Sequence, residues 1–133
     1  MFDPIINALP AFGLYFVSAI ALLGVFLTIY ALITPYSELE LIRNGNVAAA
    51  ISLGGALIGI ALPVANAVVA SHNVVLMLGW GTVACIVQLL VFLFARLVMP
   101  QICKDIPANK LSAGIFLATL SIGVGIINAA CLL

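Results

Sequence analysis

The stretch that decides the fold is residues 44–95, which reads NGNVAAAISLGGALIGIALPVANAVVASHNVVLMLGWGTVACIVQLLVFLFA. It contains no Asp, Glu, Lys or Arg. A helix needs roughly 20 apolar residues to cross the hydrocarbon core of a bilayer. The stretch is too long for one such helix and suits two. The polar residues Ser71, His72 and Asn73 near its middle predict a tight turn between two antiparallel helices.

Two further uncharged runs, residues 4–37 and 111–133, flank this stretch, and each has the length for one span. The first run lacks a basic start and is far longer than the apolar part of a signal peptide, so we expect a true span there. We predict four transmembrane helices, at about 10–33, 46–70, 74–99 and 109–132.

The composition requires lipid as the solvent of the fold. Hydrophobic residues make up 66% of the chain and charged residues 6%. A soluble domain has about 45–50% apolar and about 25% charged residues. No soluble fold could bury so much apolar surface, so residues 1–133 are predicted to form a single all-α membrane domain.

Prolines and asparagines mark the predicted helix ends. Pro10 suits the first position of a helix, where its missing N–H costs nothing. Pro35 and Pro100 end the first and third helices, because the residue before a proline avoids the α region. Asn46 and Asn109 are expected to cap the second and fourth helices.

The two halves of the chain resemble each other. LITP at 32–35 recurs as LVMP at 97–100, and each is followed by a polar loop and a helix rich in small residues. This pattern predicts an internal repeat, with repeat one at 10–70 and repeat two at 74–132. Two helices per unit give tandem, parallel-oriented helical hairpins.

The basic residues predict the orientation. Arg43 lies between the first two helices, and Arg96, Lys104 and Lys110 lie at or between the last two. Loops that carry Lys and Arg stay in the cytoplasm. Both charged loops are therefore predicted to be cytoplasmic and both termini periplasmic.

A short interfacial helix is predicted after the first span. Ser37 and Glu40 have the spacing of a capping box. Apolar side chains of this helix would face the membrane while Glu38, Glu40 and Arg43 face water. The pattern fits a plain interfacial helix, or alternatively a docking surface for a cytoplasmic protein partner.

Small residues are expected to bring the second and fourth helices close to a neighbour. Gly55 and Gly59 form a GxxxG pattern, and Ser121 and Gly125 have the same four-residue spacing. Such residues let helix backbones approach in lipid. The contact could lie within the chain or between copies in a homo-oligomer.

Three amides are candidate polar groups inside the membrane: Asn66, Gln88 and Asn128. Interhelical hydrogen bonds would explain them. Alternatively they could line a polar vestibule or pore. Pro63 should kink the second helix and free a carbonyl that Asn66 or a neighbouring residue could satisfy.

The sequence lacks the residue patterns that several classes of function require. Cys85, Cys103 and Cys131 are odd in number and far apart, which argues against a disulfide framework or zinc site. His72 has no companion for a metal site or proton relay. The net charge of zero gives no sign of nucleic-acid binding. We expect no enzyme, no cofactor and no metal.

Three segments resemble a known family: TPYSELELIRNGNVAAA at 34–50, GIALP at 59–63 and GIINAAC at 125–131. Together they are similar to the YjfL-like bacterial inner-membrane proteins, a family of unknown function. The resemblance implies four helices, a duplicated hairpin and the bacterial inner membrane. Members tend to be encoded near phage-shock-type membrane-remodelling proteins, which suggests a role in envelope stress. The family supplies no catalytic residues.

Two functions follow as hypotheses. The first is a small, homo-oligomeric inner-membrane scaffold or anchor for envelope-stress or membrane-maintenance partners, which would dock on the charged loops at 38–43 and 104–110. The second is an oligomeric channel or pore for ions or small solutes, lined by the intramembrane amides.

Overall fold

The fold consists of helices, without strands, throughout residues 3–132, the part of the chain that the computed structural model describes. Six helices follow one another: α1 Asp3–Ile33, α2 Glu38–Arg43, α3 Val47–Ala70, α4 Val74–Val98, α5 Ile102–Asp105 and α6 Leu111–Cys131. The four long ones, α1, α3, α4 and α6, are long and apolar enough to cross a membrane. The prediction of an all-α membrane protein with four transmembrane helices is confirmed.

The prediction for the start of α1 is wrong. The helix begins at Asp3, so Pro10 lies inside it and not at its first position. The residues between Pro4 and Pro10 are mostly apolar. In lipid a non-helical backbone would leave its N–H and C=O groups without partners. Continuing the helix past Pro10 satisfies most of them, at the loss of one hydrogen bond.

Asparagine side chains begin α3 and α4. The Asn46 side-chain oxygen accepts a hydrogen bond from the backbone N–H of Ala49, 2.8 Å away, which confirms the predicted cap of α3. The Asn73 side chain likewise accepts from Leu76 at 2.8 Å at the start of α4. Each bond satisfies one of the N–H groups that a first helical turn leaves free.

The predicted cap of α6 is wrong. Lys110, not Asn109, holds the N-cap position. Asn109 has a φ of 61°, a left-handed conformation that asparagine tolerates better than most residues. Its side-chain oxygen accepts from the backbone N–H of Ala48 at 3.1 Å. Asn109 therefore caps the neighbouring helix α3, which spacing along the sequence could not show.

The closest packing in the bundle joins α3 and α6. Gly55 lies against the backbone of Ala118, and Gly114 lies against the backbone of Ala48. A Cβ atom at either glycine would collide with the partner helix. Since the contacts advance in the same direction along both helices, α3 and α6 run parallel. Small residues allow this approach where lipid gives no hydrophobic drive for association.

Helix α1 packs on α4 through larger side chains. Leu22 lies over Gly81, and the ring of Tyr30 meets that of Phe92 edge-on, with 5.4 Å between centroids. These contacts also advance together, so α1 and α4 run parallel. The internal repeat and the division into two tandem hairpins stay predictions.

Candidate functional site

Most charged side chains lie at one end of the bundle. There α1 and α4 end, α3 and α6 begin, and the short helices α2 and α5 connect them. We call residues 34–46 and 99–110 the charged end. Glu40, Arg43 and Lys104 are exposed there. Lys110 and Asp105 form an ion pair of 3.3 Å, the one salt bridge within residues 3–132.

Two buried isoleucines fix the charged end to the bundle. Ile102 and Ile106 are fully buried in the core, although they belong to a short connection between helices. The Asn46 side-chain amide donates hydrogen bonds to the carbonyls of Ile106 at 3.0 Å and Pro107 at 3.2 Å. The two connections are thus tied to each other, and this end presents a defined surface.

The prediction that Glu38 faces water is wrong. Its side chain is only 7% exposed, whereas Glu40 and Arg43 are exposed as expected. The reason is helical geometry. At about 100° per residue, Glu38 lies roughly 200° around α2 from Glu40 and cannot share its face. Glu38 shares a face with Ile42, one turn on, which packs against the core.

A cavity of about 390 Å³ lies beside Glu38. Its walls come from the end of α1, the turn that follows, the start of α2, and Leu53 of α3. Much of the lining is apolar, but Tyr30, Tyr36 and Glu38 also contribute. The two Glu38 carboxylate oxygens and both tyrosine hydroxyls are buried and have no hydrogen-bond partner within residues 3–132.

Burial changes the acid–base behaviour of this cluster. It raises the pKa of the Glu38 carboxyl to about 7, so the group titrates near neutral pH. Burial, and then the negative charge of Glu38, raises the pKa of the Tyr36 hydroxyl, which stays a neutral phenol. Cys103 acts on the Tyr36 pKa in the same direction and Arg96 in the opposite one. The site therefore offers one acidic group without a counter-ion.

Asn66 satisfies the end of a neighbouring helix. Its side-chain amide donates to the carbonyls of Ala129 at 2.5 Å and Leu132 at 2.9 Å, where α6 ends. Carbonyls of a last helical turn have no partner within their own helix. Asn66 was one candidate for satisfying the carbonyl that Pro63 frees, with a neighbouring residue as the other, and Asn66 makes these bonds to α6.

The carbonyl that Pro63 leaves free belongs to Gly59, four residues earlier in α3. The Gly59 carbonyl oxygen lies where a Cβ atom on Gly125 of α6 would be. The backbones of α3 and α6 are therefore in close contact at this point. Gly59 and Gly125, both predicted packing residues, therefore meet each other inside the chain.

Ser121 and Gly55, the other predicted packing residues, are also buried between α3 and α6. The Ser121 backbone carbonyl lies over Gly59 and accepts a hydrogen bond from the Gln88 side chain at 3.0 Å. The small-residue stripe is thus occupied within one chain. A second copy of the chain would need another surface.

Gln88 and Asn128 join α4 to α6. The Asn128 side-chain amide donates to the Ala84 carbonyl at 3.3 Å and to the Gln88 side-chain oxygen at 3.4 Å. All three predicted amides, Asn66 included, thus make interhelical hydrogen bonds, which is one of the two roles considered for them. The pore interpretation stays a prediction.

The remaining candidates are scattered. His72 is exposed in the turn between α3 and α4. Cys85 is buried, Cys103 half-buried and Cys131 exposed, and all three are free thiols. Residues 3–132 contain no group of three His, Cys, Asp or Glu side chains that could hold a metal ion.

Sequence reasoning missed the cavity. Its signal was two tyrosines and a glutamate, Tyr30, Tyr36 and Glu38, within nine residues around the Pro35 stop. Their meeting depends on how the chain folds back after α1, which the local pattern does not specify.

Comparison with known proteins gives a family but no activity. The Domain of Unknown Function (DUF350) matches residues 4–132. The chain is 38% identical over 128 residues to the UPF0719 inner membrane protein YjfL of Escherichia coli (strain K12), covering 96% of this chain and 97% of that protein. It is 28% identical over 126 residues to the UPF0719 transmembrane protein YshE of Bacillus subtilis (strain 168), covering 93% of this chain and 94% of that protein. No solved structure matches.

Proposed function

Because this chain belongs to the DUF350 family, which includes proteins named for the inner membrane, we propose that it is an inner-membrane anchor whose charged end recruits a protein partner. The partner would belong to an envelope-stress or membrane-maintenance system, as the sequence resemblance suggests. The charged end would face the cytoplasm and both termini the periplasm.

The uneven distribution of charge supports this proposal. Of the eight Asp, Glu, Lys and Arg residues, only Asp3 lies outside residues 38–110. The others lie at the charged end or, for Arg96, in the last turn of α4 beside it. The opposite turn carries His72 alone as an ionisable group. A surface for a water-soluble partner would therefore lie at the charged end.

The construction of that end also supports docking. Buried Ile102 and Ile106 hold one connection against the core, and Asn46 bonds to its carbonyls. Exposed Glu40 and Arg43 stand one turn apart on α2 and offer both signs of charge. Charges on a fixed surface can match an oppositely patterned partner, and such contacts govern specificity and association rate.

Site-specific photo-crosslinking in living cells would test the proposal. A photoreactive amino acid replaces Glu40 at the charged end, and the matched control replaces exposed His72 at the opposite end. We expect the Glu40 position to give one discrete adduct with another protein, identified by mass spectrometry, and the His72 position to give no such adduct. Arg43→Glu in the same chain should abolish the adduct. The same products from both positions would contradict the proposal.

The orientation needs its own test. The few basic residues all lie at or near the charged end, which the positive-inside rule places in the cytoplasm. A fluorescent protein that matures only in the cytoplasm, fused after Leu133, should be dark. The same protein inserted between Gly45 and Asn46 should be bright. The reverse pattern would invert the proposed topology.

Self-association is also part of the proposal, and α1 is the least buried of the four spans. The α3–α6 contact already uses the small residues of both helices. Helix α1 leaves Phe12 and Phe16 stacked on each other, with 5.6 Å between ring centroids, and exposed. In a background without native cysteines, Phe16→Cys should form disulfide-linked dimers in membranes. Val69→Cys, exposed near the end of α3, is the control expected to stay monomeric.

A further inference from the structure

We propose that the cavity beside Glu38 binds the ammonium head of an aminophospholipid of the phosphatidylethanolamine type. The proposal concerns a different site from the exposed partner surface and does not depend on it. It is carried by the buried, unpartnered oxygens of the cavity, by its position along the membrane, and by the arrangement of charge around it.

Four buried oxygen atoms of the residues that line the cavity lack hydrogen-bond partners within residues 3–132. They are both Glu38 carboxylate oxygens and the hydroxyls of Tyr30 and Tyr36. A buried carboxylate is costly unless a cation or hydrogen-bond donors meet it. A primary ammonium group brings one positive charge and three N–H donors. These donors match the acceptors present, and tyrosine rings also attract cations.

The cavity lies at the end of the membrane-spanning part of α1. Leu27 and Tyr30 belong to the last two turns of α1, and Leu53 lies two turns into α3. The other end of the cavity is formed by Ser37 and Leu39, in the turn and short helix outside the span. The cavity therefore crosses the boundary between hydrocarbon and headgroups. Its volume of about 390 Å³ falls in the range of small-molecule sites, roughly 300–1,000 Å³. A site of this kind suits an amphiphile.

The charges around the cavity suit a zwitterionic headgroup. Phosphatidylethanolamine is a zwitterion, with a phosphate a few bonds from its ammonium group. Glu38 supplies the negative charge for the ammonium group. Arg96 lies near enough to Tyr36 to influence its ionisation, and its guanidinium packs over the Phe92 ring at 5.9 Å. This exposed arginine can meet the phosphate, since it forms no ion pair with Glu38 in the described structure.

The same chemistry gives a dependence on pH. Glu38 binds an ammonium group only when ionised, and its pKa in the empty cavity is about 7. Tyr30 and Tyr36 lie close enough to Glu38 to feel its charge, Cys103 lies near both tyrosines, and Arg96 lies near Tyr36. The guanidinium stays charged and the Tyr36 phenol stays neutral near pH 7. Binding should therefore weaken as the pH falls from 8 to 6.

Native mass spectrometry of the full-length protein in detergent would test the proposal. Dioctanoyl phosphatidylethanolamine is titrated beside the matching phosphatidylcholine, whose ammonium has no N–H donors, and phosphatidylglycerol, which has no amine. We expect about tenfold tighter binding of phosphatidylethanolamine, the worth of one charge-assisted hydrogen bond. Equal binding of the three lipids would overturn the proposal. Free ethanolamine should not compete at similar concentrations, and full competition would assign the site to a free amine.

Substitutions in and near the cavity provide a second test of the proposed lipid site. Glu38→Gln keeps the shape of the side chain but removes its charge, and should weaken phosphatidylethanolamine binding about tenfold and abolish its pH dependence. Glu40→Gln, two residues away and exposed, is the control that should bind like the original chain. Leu53→Trp should fill the cavity and block binding with Glu38 intact. Unchanged protection of the buried Cys85 thiol checks the fold of each variant. Full binding by Glu38→Gln would refute the site.

Discussion

Two adjacent glycines in α3 allow a direct test of how tightly the bundle is packed. Gly55 faces α6, and a Cβ atom there would fall on the Cα and Cβ of Ala118, closer than real Cβ atoms come to other atoms. Gly54 precedes it in the same helix, and a Cβ atom there would meet nothing within 4 Å. Gly55→Ala and Gly54→Ala therefore add the same methyl group to the same helix, one in contact and one in open space.

The expected difference follows from this geometry. Replacing glycine by alanine inside a helix stabilises it by up to about 1 kcal/mol, and both variants share that gain. Overpacking of a close contact costs about 1–3 kcal/mol, and Gly55→Ala alone carries this cost. The obstacle is the backbone of Ala118, so α3 and α6 must move apart. We expect Gly55→Ala to be about 1–3 kcal/mol less stable than Gly54→Ala.

Thermal unfolding in detergent, followed by a thiol-reactive dye, would measure the difference. Cys85 is buried, whereas Cys103 and Cys131 are at least partly accessible. In a Cys103→Ser, Cys131→Ser background the dye therefore reports on unfolding that exposes Cys85. Gly54→Ala should melt at or above the temperature of that background, and Gly55→Ala clearly below Gly54→Ala. Equal melting temperatures for the two variants would refute the close α3–α6 packing.

Three further predictions concern single polar side chains. Asn46→Ala removes a helix cap and two hydrogen bonds to the α5–α6 connection, whereas Asn73→Ala removes a cap alone. In chemical unfolding, Asn73→Ala should therefore lower the free energy of unfolding by about 1 kcal/mol, and Asn46→Ala should lower it by more. Burial raises the Glu38 pKa from 4.5 to about 7, so the lipid-free protein should lose stability on the order of 3 kcal/mol as the pH rises through this window. The stability of Glu38→Gln should not change over the same window, and equal pH profiles of the two proteins in thermal unfolding would contradict this. Asn128→Leu loses its hydrogen bonds to α4 and should lower the free energy of unfolding by about 0.6 kcal/mol, without changing ion flux from proteoliposomes. An ion flux that the original protein supports and that Asn128→Leu abolishes would instead favour the channel.

The spans could be predicted because hydropathy and length are local properties of the sequence. Residues 44–95 hold two membrane helices around the turn at His72, as expected. Proline was informative at the end of a span, where Pro35 follows α1, but misleading at Pro10. A membrane helix tolerates an internal proline because leaving the helix in lipid would cost more hydrogen bonds than the proline removes.

The site was harder to predict because its contacts are distant in sequence. Asn109 looked like a cap for its own helix, yet it caps α3, and its partner Ala48 lies 61 residues earlier. Glu38 looked solvated because charged residues surround it in sequence. Its burial depends on how the six-residue helix α2 is rotated against α3, and a capping pattern cannot fix that rotation. Turning α2 by half a turn would exchange the environments of Glu38 and Glu40.

The packing of the bundle explains why a cavity can persist beside Glu38. Helices α3 and α6 touch through glycine and backbone atoms, so neither can shift without breaking the contact. Helix α1 instead packs through the flexible side chain of Leu22 and the ring of Tyr30, and much of its surface is exposed. The cavity lies where this less tightly held helix turns into α2. A small outward movement of α1 would open it to lipid while the α3–α6 pair and the charged end, whose two connections Asn46 joins, stay in place. The proposed lipid site and the proposed partner surface use different faces of α2, at buried Glu38 and exposed Glu40, so substitutions can test them separately.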